Sequence, residues 1–168
     1  FSVGLAEFVP SEAFSTIVAD DPEGWGTAQT MSLSNDGRMV ATQSKTGIRL
    51  WDLAKQRYVG QAALEGRGES AGFLPDRSGL LTADAEKVLL WSLEEEDGAV
   101  GFADRQPTVL PLTQVVTDLR VTPDGQTLLF GGTDGTLWAV DLADLSRRRM
   151  LGTHPDVACL SVSPDGRL

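Results

Sequence analysis

A short turn signal recurs along this chain and fixes what the rest of it can become. It reads Ser34-Asn35-Asp36-Gly37, Leu74-Pro75-Asp76-Arg77-Ser78-Gly79, Thr122-Pro123-Asp124-Gly125 and Ser163-Pro164-Asp165-Gly166. The four aspartates lie 40, 48 and 41 positions apart. Aspartate hydrogen-bonds its own backbone and glycine accepts positive φ, so an Asp-Gly pair between apolar runs closes a tight hairpin. A period of about 40–45 residues marks a repeat architecture, in which each unit buries its apolar face against its neighbours.

The segments around the turns read as strands. Before each turn lies an alternating run: Met31-Ser32-Leu33, Ala71-Gly72-Phe73, Leu119-Arg120-Val121 and Leu160-Ser161-Val162. After the first three turns come Met39-Val40-Ala41-Thr42, Leu80-Leu81-Thr82-Ala83 and Thr127-Leu128-Leu129-Phe130. Period-two alternation on both sides of a turn predicts paired antiparallel strands. A third strand follows over 48–53, 88–93 and 136–142, and a fourth near Arg57–Gly60, Thr108–Leu110 and Arg149–Leu151. Four antiparallel strands per repeat make the blade of a β-propeller. The expected fold is therefore all-β, a β-propeller of four-stranded antiparallel blades in an incomplete ring. The expected blades are 28–66, then 67–114 with an acidic insertion at 94–106, then 115–153, with the start of another at 154–168. Residues 1–27 are expected to hold part of a preceding blade and a connecting loop, with Phe14–Val18 as an outer strand. The first residue is Phe1 and the last stands just past an Asp-Gly turn. The expectation is a piece of a longer chain, whose ring is completed by its own remaining blades or by a second copy. Alone, its open strand edges should drive association.

At these residues the chain resembles the WD-repeat family. The resemblance rests on Ile48-Arg49-Leu50-Trp51-Asp52-Leu53, on the phased Asp-Gly turns, and on Asp134-Gly135-Thr136 leading to Val140-Asp141. It covers roughly residues 28–168. It implies structural roles for Asp36, Gly37, Trp51, Asp52, Asp76, Trp91, Asp124, Gly125, Val140, Asp141, Asp165 and Gly166, with Trp51, Trp91 and Val140 buried at equivalent places. The family often joins a His, a Ser or Thr, an Asp and a Trp in one hydrogen-bonded set per blade, and no blade here keeps all four. Lys45 and Ala85 stand where Asp134 stands in the third unit, and Val140 replaces the Trp there. His154 falls near the family's histidine position, shifted by one residue.

Composition excludes several functions. The net charge of -10 repels phosphate backbones and anionic surfaces, so neither nucleic acid nor membrane is an expected partner. The run Arg147-Arg148-Arg149 is too short to reverse this and reads as a solvated strand edge. The chain has one cysteine and one histidine, too few for a zinc site of the His/Cys type. Cys159 sits in an apolar run and is expected to be a small core residue. A lone cysteine fits a reducing compartment, and a cytoplasmic location is expected. The glycine-rich stretch Gly131-Gly132-Thr133-Asp134-Gly135 joins two strands and lacks the lysine of a phosphate cradle. No cofactor, no metal and no enzymatic activity are expected.

Two functional classes remain. The first is a protein-interaction scaffold or sensor module that binds a protein partner through loops at one end of the propeller. Its candidate contact residues are Lys45, Asp84 and Asp134 in the turns and Arg67, Gln114 and His154 in the blade connections, although any one of them could be merely a solvated loop residue. The second is a propeller enzyme whose active site lies outside this stretch, since Gly132 to Asp141 is also similar to a blade of the quinoprotein dehydrogenases. The insertion that begins Glu94-Glu95-Glu96-Asp97-Gly98 reads as a solvated surface loop, or else as an acidic contact for a basic partner.

Overall fold

The computed structural model describes residues 28–64, 68–84, 87–104, 106–112, 114–155 and 157–166. The strand expected over Phe14–Val18, the partial blade at 1–27, and Arg67 and Ala85 lie outside the described residues. Those described form three antiparallel sheets in sequence and contain no helix, so none is long and apolar enough to cross a membrane. The first blade runs β1 (Thr30–Leu33), β2 (Met39–Ser44), β3 (Gly47–Asp52) and β4 (Arg57–Ala63), in that order across the sheet. The third runs β10 (Val116–Val121), β11 (Thr127–Gly132), β12 (Thr136–Asp141) and β13 (Arg148–Thr153). The second has β5 (Ser70–Phe73), β6 (Gly79–Ala83), β7 (Val88–Glu96), β8 (Ala99–Phe102) and β9 (Thr108–Leu110). Its innermost strand β5 lies against both β1 and β10. The sheets thus follow one another as an arc of blades and no closed ring.

The Asp-Gly turns fold through one repeated device. The Ser34 hydroxyl donates to Asp36 at 2.6 Å and accepts the Met39 amide at 2.9 Å, while Asp36 also accepts the Arg38 amide at 3.1 Å. Thr122 and Asp124 repeat this with the amides of Thr127 and Gln126, each at 3.0 Å. Gly37, Gly125 and Gly166 adopt φ near 70°. In the second blade Arg77 occupies that left-handed place with φ 62°, and Asp76 takes its hydroxyl from Ser78 instead.

Packing lies between blades. Met39, Ala41, Ile48 and Leu50 of the first blade share a core with Phe73, Leu80, Leu89 and Trp91 of the second. Leu81, Val88 and Leu110 of the second share another with Leu119, Leu128, Phe130 and Val140 of the third. Burying one such side chain fully stabilises by about 1.5–3 kcal/mol, so each blade depends on its neighbour.

Two expectations are corrected. The insertion is not a loop. Strand β7 continues past the blade to Glu96, turns at Asp97-Gly98, and returns as β8 with Glu96 opposite Ala99 and Leu93 opposite Phe102. The chain then rejoins β7 as β9, with Leu90 opposite Thr108. Asp97 and Gly98 both have positive φ, the conformation that a two-residue hairpin turn demands. Cys159, in turn, is exposed rather than buried. It sits where the other repeats place Thr30, Ser70 and Asp118, at the start of the innermost strand, and residues 157–162 pair with no strand among those described.

Candidate interaction surface

Strand alternation sorts every connection to one of two ends. The Asp-Gly turns share an end with the turns after β3 and β12 and with the β7–β8 hairpin. The turns before β3, β7 and β12 and the connections between blades occupy the opposite end. Lys45 and Asp134 lie in such turns and are exposed, and Gln114 and His154 lie in connections, half-buried and exposed respectively. Hydrogen bonds join these segments in the third blade: the Thr133 amide donates to the Val115 carbonyl at 3.0 Å, and the His154 amide to the Gly135 carbonyl at 2.8 Å. Asp84 shares this end but is buried, and its carboxylate accepts the Lys87 amide at 2.9 Å. Its turn-forming role accounts for it, which removes it as an exposed contact.

Asp134 anchors a local chain of bonds. It accepts the Thr136 hydroxyl at 2.5 Å and the Thr136 amide at 3.0 Å, and the same hydroxyl accepts the Trp138 indole N–H at 2.8 Å. The hydroxyl bond holds the Asp134 carboxyl below its ordinary pKa. In the first two blades the indole bond runs elsewhere: Trp51 donates to Thr42 at 3.1 Å and Trp91 to Thr82 at 2.9 Å, both within the buried sheet.

The innermost strands carry a buried network that the sequence did not reveal. Asp118 accepts the Ser70 hydroxyl of the preceding blade at 2.5 Å and the Arg120 guanidinium at 2.6 Å. Its other oxygen accepts the Leu160 amide of the following segment at 2.6 Å. Ser70 in turn accepts the Leu119 amide at 3.1 Å. Nothing local marks Ser70 and Asp118 as partners, since they stand 48 residues apart. A carboxylate in this setting needs its charge paired, and Arg120 supplies the pair. The role is structural and leaves no free nucleophile or base.

Other polar features are used within the fold in the same way. Asp52 and Asp141 cap the turns after β3 and β12 by accepting the amides of Lys55 at 3.0 Å and Ala143 at 2.8 Å. In the run Arg147-Arg148-Arg149, Arg147 pairs with Asp144 at 3.2 Å and Arg148 lies 5.6 Å above the Trp138 ring. Among the described residues no group of three or more His, Cys, Asp and Glu side chains is placed to hold a metal.

The model of the WD domain, G-beta repeat, matches residues 109–139, from the outer strand of the second blade into β12 of the third. The computed fold is similar to the β-propeller domain of Cps50 (Swd1) from Myceliophteria thermophila, with a TM-score of 0.66 and 18% identity over 83% of this chain and 47% of that one. The chain carries a WD repeat in a β-propeller fold. A similar fit, with a TM-score of 0.64 and 16% identity, covers 81% of this chain and 39% of a chain of Kuenenia stuttgartiensis hydrazine synthase, a likeness of fold alone. Among curated WD-repeat relatives, the small ribosomal subunit protein RACK1z of Arabidopsis thaliana is 37% identical over 130 residues, covering 68% of this chain and 40% of that protein. The protein of the same name from Oryza sativa subsp. japonica is 29% identical and is covered over 34% of its length. MST50-interacting protein 11 of Pyricularia oryzae is 29% identical and is covered over 38%. The chain thus spans little more than a third of the length of these relatives.

Proposed function

We propose that this WD-repeat chain is a protein-interaction module that binds a protein partner through the end opposite its Asp-Gly turns. The observation that carries the reading is the strand alternation, which brings Lys45, Gln114, Asp134 and His154 from successive blades to one end on rigid strands. Arg67 belongs to the same proposal by its place in the sequence. Loops held by a rigid scaffold are the usual place for contacts, and equivalent loops of stacked repeats form one continuous surface. The relatives, named as an interacting protein and as ribosomal subunit proteins, support membership of an assembly. A cytoplasmic location, and the lack of a cofactor and of catalysis, form part of the same reading.

The test compares the full-length protein with a Lys45→Ala, Gln114→Ala, His154→Ala variant by affinity capture and quantitative mass spectrometry. The variant should keep its melting temperature within about 2 °C, as surface substitutions do, and lose a partner that the parent retains. Retention of every partner by this variant, with loss on deleting 94–106, would move the contact to the hairpin. A visible absorption band in the purified full-length protein would favour the quinoprotein alternative over a cofactor-free module.

A further inference from the structure

The β7–β8 hairpin is held to the body of the molecule at three levels. Val100 is buried within the core shared by the first two blades, and Phe102 packs against that core from its edge. Phe102 also stands edge-on to Trp91, with ring centroids 5.6 Å apart. At the tip, the Gly98 carbonyl accepts Arg38 Nη2 at 2.6 Å and also accepts Lys55 Nζ. Directly opposite Val100, Glu95 divides its oxygens, one 3.3 Å from Arg38 Nη1 and the other 3.4 Å from Arg77 Nη2. Arg38 also reaches Asp52 at 3.4 Å, and Arg77 reaches Asp36 at 3.3 Å. Arg38, Lys55, Asp36 and Asp52 belong to the first blade, whereas the hairpin and Arg77 belong to the second.

We infer that this hairpin is an ionic clasp that straps the second blade over the outer strands of the first, and that ionic strength sets how often it lifts. The apolar contacts of Val100 and Phe102 guide the hairpin to its seat. The charges then hold its tip, beyond the Glu95–Val100 pair, where Glu96, Asp97 and Gly98 are exposed. The Arg38 and Arg77 side chains are 25% exposed and Glu95 is 41% exposed, so dissolved salt reaches these pairs. Added salt shortens the Debye length to about 3 Å at 1 M, comparable with the 3.3 and 3.4 Å separations of the two Glu95 ion pairs. Lifting the hairpin bares the edge of Trp91 and the Val59 side of β4.

The experiment is limited digestion of the full-length protein with a glutamate-specific endoprotease at about 0.05 M and 1 M NaCl. An unstructured peptide serves to correct for the protease's own response to salt. Cleavage after Glu94 and Glu96 should speed by about three- to tenfold at high salt, as the two Glu95 ion pairs are screened. Glu95→Gln should be cut at the fast rate in low salt and lose most of its salt dependence. The near-UV circular dichroism of the Trp91–Phe102 pair should weaken in parallel, at an unchanged global melting temperature. Equal cleavage at both salt concentrations, or a Glu95→Gln protein cut as slowly as the parent in low salt, would overturn the clasp. Arg77→Gly keeps the left-handed turn and removes one arm. It should fall between the parent and Glu95→Gln, and a rate equal to the parent's would likewise count against the proposal.

Discussion

The second and third blades solve the same packing problem with different chemistry. In the second, Trp91 is 1% exposed and its indole N–H donates to Thr82, an acceptor on the neighbouring strand at 2.9 Å. The first blade repeats this pair with Trp51 and Thr42. In the third, Val140 stands in the tryptophan's place opposite Leu128, and Phe130 stands where the threonine would be. Both are buried, at 0% and 1% exposure. The large ring has moved from the third strand to the second, and the polar pair has vanished with it. The difference teaches that these positions specify volume and a satisfied donor together. An indole kept without its threonine leaves a buried N–H unpaired, and a threonine kept without the indole leaves an orphan hydroxyl. The third blade instead has its indole two register pairs away, on half-buried Trp138 opposite Phe130, with Thr136 as acceptor.

The largest test of this comparison removes a ring. Trp91→Ala should destabilise by about 3–5 kcal/mol, and Trp51→Ala by a similar amount, as core aromatic truncations do. Val140→Ala removes less volume and should cost about 1–3 kcal/mol. Chemical denaturation measures all three, and a loss below about 1 kcal/mol at Trp51 would break the equivalence of the three positions. A sharper form converts one blade into the other. Trp51→Val should be partly rescued by Thr42→Phe, with a coupling of about 1–3 kcal/mol in a double-mutant cycle. Additive effects would show that ring and acceptor are independent. A smaller version is Thr82→Val, which should cost about 1–3 kcal/mol by orphaning the Trp91 N–H.

Much of this was legible in the sequence, for reasons that particular residues show. Asp36, Asp124 and Asp165 advertise their turns because the information is local: a hydroxyl, a carboxylate and a glycine within four positions. Trp51 and Trp91 could be aligned because each stands 15 positions past its turn aspartate, and Val140, 16 past its own, because it precedes Asp141-Leu142 as Trp51 precedes Asp52-Leu53. The insertion was misread because three glutamates masked an Asp-Gly pair followed by alternating Ala99-Val100-Gly101-Phe102, itself a hairpin signal. A second clue stood at Ser92, where the other blades have Asp52 and Asp141 to cap a tight turn; here the strand runs on and there is no turn to cap. The Asp118 network was not legible, because its partners come from three blades. Of the candidate contact residues, Asp84 could not be told from Asp134 by type, and only burial separates them.

The Asp-Gly turns offer the next smaller test, since three have glycine at the left-handed position and one has Arg77. A non-glycine residue there carries a strain of about 1–2 kcal/mol. Against it stand two exposed ion pairs of about 0.2–1 kcal/mol each and the extra backbone freedom that glycine loses on folding. Arg77→Gly should therefore lie within about 1 kcal/mol of the parent at low salt and become stabilising at high salt, where the pairs are screened. A destabilisation that persists at high salt would show that packing of the arginine stem, rather than its charge, holds the turn.

Acid is expected to act most weakly, and unevenly across the blades. The carboxyls of Asp36, Asp76, Asp124 and Asp134 are all held below their ordinary pKa, first by the hydroxyls of Ser34, Ser78, Thr122 and Thr136 respectively. A carboxyl whose folded pKa lies below its unfolded value of about 3.9 stabilises the fold fully above that pH. The contribution is lost as pH falls through the folded value, because the proton that then binds ends the hydroxyl's donation to a charged acceptor. The third blade has two such carboxyls, Asp124 and Asp134, and the first and second have one each. Lowering the pH from 5 towards 2 should thus loosen the third blade first, read as earlier loss of amide resonances from β11 and β12 than from β2 and β6. Asp124→Asn with Asp134→Asn should remove that head start, since an amide does not titrate. If the third blade still yields first in the double variant, its acid sensitivity does not come from the Asp124 and Asp134 turns.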